Sequence, residues 1–214
     1  ILQNTDPAQA RESYQRSLAI ARHLAETWPE DLQARGDLAI ALTNVAGILK
    51  NSDPGRALEL YEESLDIRRE LAGRLSGDVQ ARRDLTIALD NVAGMLMHSD
   101  PGQALELYEE SLDIRRELAG RLSGDVQARR DLTVALNNVA GMLKHSDPGR
   151  ALELYEESLD ISRDLDERLS GDFQARRDLA IVLGNVAGML MHSDPGRALE
   201  LYEESLGISR DLDE

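Results

Sequence analysis

The amino-acid sequence predicts an all-α protein, a solenoid of stacked antiparallel helix pairs with about nine helices. Three observations carry that prediction: a strict 47-residue repeat, apolar residues at helical spacing inside each repeat, and a capping turn at each predicted helix end. Asp-Pro occurs at Asp6, Asp53, Asp100, Asp147 and Asp194, each 47 residues after the last. Residues 53–99 and 100–146 differ only at Arg56/Gln103, Ile87/Val134, Asp90/Asn137 and Met97/Lys144, as recent tandem duplication would leave them. Residues 1–214 therefore read as one repeat array, with units starting near 6, 53, 100, 147 and 194. Ile1-Leu2-Gln3-Asn4-Thr5-Asp6 matches Ile48-Leu49-Lys50-Asn51-Ser52-Asp53, the end of a helix, and Glu214 falls where other units continue. The register predicts an array truncated at both ends from a longer protein.

Each unit opens with Asp-Pro, an N-cap followed by proline at the first helical position, where its missing N–H leaves no bond unmade. The helix that starts at Pro54, here termed a B helix, carries Ala57, Leu58, Tyr61, Ser64, Leu65, Ile67, the Arg68 stem and Leu71 on one side. Glu59, Glu62, Glu63, Asp66 and Glu70 occupy the other. Ser76-Gly77-Asp78 then ends it: glycine suits a left-handed C-terminal residue, and aspartate caps the next helix. Trp28-Pro29-Glu30-Asp31 takes that role in the first unit. The following A helix is predicted from about Val79 to Met97, nearly 19 residues and roughly 29 Å long, and Ser99-Asp100-Pro101 closes it. At 100° per residue, Leu85, Leu89, Val92, Ala93 and Leu96 share the core side. Arg83, Ile87, Asp90, Asn91 and Gly94 face away, with Ala88 and Met95 on one flank and Thr86 on the other. Two helices alone cannot bury these faces, so units must stack on one another.

Composition excludes several function classes. The chain carries 40 acidic and 24 basic residues, a formal charge of -16, and a pI near 4.6. Such a surface repels nucleic-acid phosphates and anionic lipid. Cysteine is absent, so disulfides, thiolate nucleophiles and zinc-thiolate sites are impossible, in keeping with a reducing, cytoplasmic setting. No apolar run approaches the roughly 20 residues that span a bilayer. No cofactor or metal is expected. His98, His145 and His192 recur singly in the inter-unit turns, too far apart for shared ligation. Nor does any nucleophile, paired-carboxylate or phosphate-loop arrangement stand out from the repeat, which predicts a non-enzymatic chain.

The residues resemble the tetratricopeptide-repeat (TPR) superfamily, in its longer-helix variant found in kinesin light chains and bacterial multidomain proteins. That family's A helix asks for large-x-x-large-small-x-x-large, supplied by Leu42, Val45, Ala46 and Leu49 and by Leu89, Val92, Ala93 and Leu96. Its B helix asks for small, aromatic and small residues, matched by Ala57, Tyr61 and Ser64 and by Ala104, Tyr108 and Ser111. Asn137-Asn138-Val139-Ala140 is similar to the light-chain signature. The unit departs from the usual length of about 34 residues, and its inter-helix turn is shorter by about one residue. The resemblance implies a right-handed solenoid whose A helices line a concave, peptide-binding groove, in proteins that often add a signalling ATPase or protease domain.

The implied groove stripe holds Asn44, Asn91, Asn138 and Asn185, amides suited to holding an extended peptide backbone or to fixing helix stacking. Gly47, Gly94, Gly141 and Gly188 leave the stripe bare, for close approach of a ligand or of a helix. Ile87/Val134 and Asp90/Asn137 lie on it, and Thr43, Asp90, Asn137 and Gly184 form its most varied column. Arg83, Arg130 and Arg177 point towards it, either to clamp an acidic partner or to join a salt-bridge lattice with the B helices. The pairs Glu62-Glu63, Glu109-Glu110, Glu156-Glu157 and Glu203-Glu204 read as a solvated convex face. The expected function is a scaffold binding a protein or peptide segment. The alternative is a spacer or self-assembling rod that joins end to end through exposed repeat faces.

Overall fold

A computed structural model describes residues 7–213. Among them, nine helices and no strands occur: α1 Pro7–Thr27, α2 Leu32–Leu49, α3 Pro54–Arg74, α4 Val79–Leu96, α5 Pro101–Arg121, α6 Val126–Leu143, α7 Pro148–Arg168, α8 Phe173–Leu190 and α9 Pro195–Asp213. The chain is an all-α helical repeat in which α2, α4, α6 and α8 are the A helices and the odd-numbered helices the B helices. The Asp6 cap and the Ile1–Asp6 match lie outside the described residues, as does Glu214.

Caps form where local chemistry predicts them. Asp53 accepts from the Arg56 backbone N–H at 3.2 Å, with Pro54 in the first turn. Asp31 accepts from Gln33 and Ala34 at 2.8 and 3.3 Å, and Asp78 from Ala81 at 2.7 Å. Two expectations need correction. The A helix α4 ends at Leu96, and Met97 is its cap residue, still in right-handed conformation. Among the described residues, Gly171 alone has positive φ, at 85°; Gly77 and Gly124 do not. The turn at Gly77 is closed by Leu75 N–H to Leu71 O at 2.9 Å and Asp78 N–H to Leu75 O at 2.8 Å, and the turn that holds Gly171 by the same pair at Leu169 and Asp172, at 2.9 and 2.7 Å. One set of closing bonds thus accommodates both glycine conformations.

The chain divides inside α5 into two compact units, Ile1–Ser111 and Leu112–Glu214. In the first, Leu85, Leu89, Val92, Ala93 and Leu96 of α4 are buried as the helical wheel predicts, together with the flanking Thr86 and Ala88. They meet Ala57, Leu60, Tyr61, Leu65, Ile67 and Leu71 of α3 and Leu42, Val45 and Leu49 of α2 in one core layer. Leu60 is absent from the predicted apolar face, whereas Leu58 is only half-buried. A helix wedged between two A helices buries a wider arc than one packed on a single side. In the second unit, Leu132, Leu136, Val139 and Leu143 of α6 and Leu179, Leu183, Val186 and Leu190 of α8 repeat the layer. Each fully buried leucine stabilises the fold by roughly 1.5–3 kcal/mol.

Polar residues add a register. Ser64 donates to Ala39 O at 3.0 Å and Ser205 to Ala180 O at 2.8 Å, tying each B helix to the A helix before it. Neighbouring B helices are laced by ion pairs of constant spacing. These are Arg22–Glu63 at 2.5 Å and Arg69–Glu110 at 2.6 Å in the first unit, and Arg116–Glu157 at 2.6 Å and Arg163–Glu204 at 2.8 Å in the second. The second glutamate of each acidic pair is therefore engaged by its neighbour as well as solvated. At these exposures each pair contributes no more than about 1 kcal/mol.

Candidate binding clefts

The side of each A helix opposite the core is left partly open, and within each unit two A helices frame a cleft. In the first unit the cleft between α2 and α4 has a volume of about 360 Å³. Ile40 and Ile87, 50 and 53 % exposed, stand at its mouth, with Thr43, Asn44, Ser64, Arg68 and Asp84 below. In the second unit the cleft between α6 and α8 has about 420 Å³. Val134 and Ile181, 51 and 52 % exposed, take the equivalent positions, above Asn137, Asn138, Asn185, Asp131 and Asp178. Half-exposed β-branched residues thus recur at one repeat position on the side of the A helices away from the core. Ile87 and Val134 stand out in the sequence by their difference, whereas Ile40 and Ile181 do not. The signal that could have found them is the column itself, aliphatic in every unit and opposite the core.

The polar lining is highly ordered. Along each A helix a glutamine amide donates to the aspartate one turn later: Gln33 to Asp37 at 2.8 Å, Gln80 to Asp84 at 2.7 Å, Gln127 to Asp131 at 2.7 Å and Gln174 to Asp178 at 2.6 Å. In the first unit Asp84 also pairs with Arg68 of α3 at 2.6 Å. In the second, Arg130 donates to Asp172, the cap of α8, at 2.5 Å, and its Nε lies 3.8 Å from Asp178.

The predicted site residues take the following places. Asn44 is exposed, and Asn91, Asn138 and Asn185 are half-buried. Asn185 donates to Asn137 Oδ1 at 3.3 Å, and Asn137 in turn donates to Thr133 O at 2.8 Å and Ser158 Oγ at 3.1 Å. The varied column thus meets the serine of the following B helix, as Thr43 does with Ser64 at 3.0 Å. Arg83 and Asp90 are half-buried, and Arg177 is exposed. The first arginine of the second and third Arg-Arg-Asp runs reaches the B helix that follows: Arg129 pairs with Asp164 at 2.5 Å and Arg176 with Asp211 at 3.0 Å. Arg35 makes the same pair with Glu70.

The stripe glycines face tyrosine hydroxyls. A Cβ at Gly47, Gly94, Gly141 or Gly188 would lie 3.6, 3.6, 3.7 or 3.4 Å from the hydroxyl of Tyr61, Tyr108, Tyr155 or Tyr202. Burial pushes the Tyr61, Tyr108 and Tyr155 phenols above their ordinary pKa, with the Asp90 carboxylate adding to the rise at Tyr108. Among the described residues no group of three or more acidic, histidine or cysteine side chains has metal-holding geometry. No described helix is long and apolar enough to cross a membrane.

No family model matches the sequence, and no curated protein matches it. Among solved structures the chain is similar to the crystal structure of MamA protein, with a TM-score of 0.45 and 10 % identity over 95 % of this chain and 93 % of that one. It is also similar to the de novo designed helical repeat protein DHR81, with a TM-score of 0.40 and 16 % identity over 97 % and 93 %. A third is yeast Tom70, with a TM-score of 0.28 and 16 % identity over 95 % of this chain and 56 % of that one. At these scores the likeness carries no statement about activity or partner.

Proposed function

We propose that this chain is a TPR-like, non-enzymatic scaffold that binds an extended protein or peptide segment in the clefts framed by its A helices. The observation that carries the reading is the pair of clefts, each edged by half-exposed aliphatic side chains and lined by asparagine amides. Aliphatic edges accept apolar side chains, while amides donate to and accept from a peptide backbone, the two requirements for holding an extended segment. Among the described residues the side chains of Asn44 and Asn138 make no hydrogen bond of their own, which leaves both amides open to a ligand. Replication of the site favours binding over turnover, because each copy adds contact to a long ligand.

Panning a random peptide library against the chain tests this. Replacing Asn44, Asn138 and Asn185 together by alanine should weaken the selected peptide about tenfold or more while helicity, read by circular dichroism, stays unchanged. Unchanged affinity refutes the cleft reading.

A second reading is self-association into a rod, for which the exposed Leu199, Tyr202 and Leu206 of α9 are the side chains to test. Light scattering over a concentration series, repeated with Leu206→Glu, separates the two: a rod dissociates in the variant, and a monomeric scaffold is indifferent to it.

A further inference from the structure

One A-helix carboxylate in the first compact unit lacks the cation that its repeat neighbour holds. Asp84 of α4 has both oxygens engaged: Oδ1 accepts from Gln80 at 2.7 Å and Oδ2 from Arg68 of α3 at 2.6 Å. One 47-residue unit earlier, Asp37 of α2 takes the place of Asp84, Gln33 that of Gln80 and Ala21 of α1 that of Arg68. Asp37 Oδ1 again accepts from glutamine, Gln33, at 2.8 Å. Its Oδ2 has no partner among the described residues, since alanine has no guanidinium to offer.

Ala21 and Asp37 line the same hollow, of about 300 Å³, between α1 and α2, together with Ser17, Ile20, Ile40 and Asn44. All of these residues belong to the first compact unit. Asp37 is the one charged group of that lining among the described residues, so its charge is uncompensated there. The adjoining cleft between α2 and α4 holds Arg68 and Asp84 together and is neutral. Ile20 and Ile40, 62 and 50 % exposed, give the hollow aliphatic sides, and among the described residues the Ser17 hydroxyl and the Asn44 amide make no hydrogen bond. An arginine side chain matches such a lining, because its alkyl stem packs on aliphatic groups while its N–H groups donate to a carboxylate. Arg68 on Asp84 shows the same carboxylate column accepting a guanidinium.

We propose that the hollow between α1 and α2 is a subsite for an arginine side chain of the bound peptide, which lies along Ile20 and Ile40 and donates to Asp37 Oδ2 as Arg68 does to Asp84. The inference deepens the cleft reading and rests on it: Ile40 and Asn44 line both the hollow and the cleft between α2 and α4, so one extended segment reaches both. The partner is then a basic segment with an apolar residue nearby, in keeping with the chain's formal charge of -16. The cleft itself, with Arg68 already on Asp84, does not take the arginine.

The test uses the whole chain with methyl-labelled isoleucine, followed by NMR, and two probes, N-acetyl-arginine N-methylamide and its citrulline counterpart. The Ile20 methyl should shift saturably with the arginine probe, and about tenfold more weakly with citrulline, which keeps the shape without the charge. Ile87, which lines the adjoining cleft and not the hollow, should not respond. Asp37→Asn keeps an acceptor for Gln33 and should abolish the Ile20 response without adding bulk. Ala21→Arg should abolish it as well, by supplying the guanidinium from within as Arg68 does; if that variant does not fold, Asp37→Asn decides alone. Equal responses to both probes, no response at Ile20, or a response that survives Asp37→Asn would each overturn the subsite. If in that event library-selected peptides still depend on Asn44, Asn138 and Asn185, the cleft reading stands without it. If those peptides ignore the asparagines while Ile20 responds to arginine, the cleft reading fails and the subsite stands by itself.

Discussion

Gly141→Ala separates two reasons for the glycine that recurs on every A helix. In a helix, glycine is about 0.8–1 kcal/mol less favourable than alanine. Gly141 lies near the C-terminal end of α6, but the backbone remains right-handed through Lys144, so most of that difference applies. The added Cβ would lie 3.7 Å from the Tyr155 hydroxyl, an ordinary van der Waals distance. No packing loss offsets the gain, and Gly141→Ala should stabilise the chain by about 0.5–1 kcal/mol, a rise in Tm of about 1–4 °C for a chain of this length. Gly188, with its Cβ 3.4 Å from the Tyr202 hydroxyl, should gain less. Thermal melts followed by circular dichroism suffice, compared midpoint to midpoint because coupled repeats need not unfold in two states. A lower Tm for Gly141→Ala would refute the contact argument. If Tm rises while affinity for a selected peptide falls, close approach of the ligand is the reason for the glycine. If Tm rises and affinity is unchanged, neither the tyrosine contact nor a ligand requires the glycine.

The remaining predictions concern the core, the ion pairs and the caps. Leu136→Ala, at a fully buried position, should destabilise by about 2–5 kcal/mol in urea titration, whereas Leu206→Ala, at an exposed one, should cost under about 1 kcal/mol. Glu157→Gln breaks the Arg116 pair at 2.6 Å and should cost no more than about 1 kcal/mol, a difference that shrinks further in high salt. Asp172 has its pKa lowered, first by the Ala175 backbone hydrogen bond and then by Arg130. Its stabilisation should therefore be present above the ordinary aspartate pKa and lost as pH falls through the lowered folded value. Wild type and Asp172→Asn should differ at neutral pH and converge in acid; a constant gap would contradict the assignment.

Features governed by neighbours along the chain were legible. Asp31, Asp53 and Asp78 cap because an aspartate beside a helical run can accept only from the N–H groups next to it. The core side of α4 emerged because Leu85, Leu89, Val92, Ala93 and Leu96 share one arc of a wheel. The missed Leu60 and the half-exposed Leu58 show the limit, since the wheel does not say how many helices flank α3. The left-handed glycine expected at Gly77 occurs instead at the equivalent Gly171, because the same closing bonds accept either conformation and residue preference does not choose between them. In the clefts, Asn44, Asn138, Ile87 and Val134 could be placed on the open face by periodicity. Which arginine meets which carboxylate could not. Arg68 reaches across to Asp84 and Arg130 to Asp172, and such long reaches depend on helix separation, a quantity no one-dimensional pattern contains. The replacement of Arg68 by Ser162 is plain in the repeat alignment, but the change of partner is not: Asp84 pairs with Arg68 of α3 and Asp178 with Arg130 of α6.

The central claim, that the A-helix clefts hold an extended peptide, is tested most directly by photo-cross-linking. A library-selected peptide carrying a photoreactive residue is irradiated with the chain, and the adducts are mapped by mass spectrometry. The account predicts adducts on Ile40, Asn44 and Ile87 of the first unit or on Val134, Asn138, Ile181 and Asn185 of the second, lost on competition with unlabelled peptide. Competable adducts concentrated instead on Leu199, Tyr202 and Leu206, or along the Glu62-Glu63 face of the B helices, would contradict it.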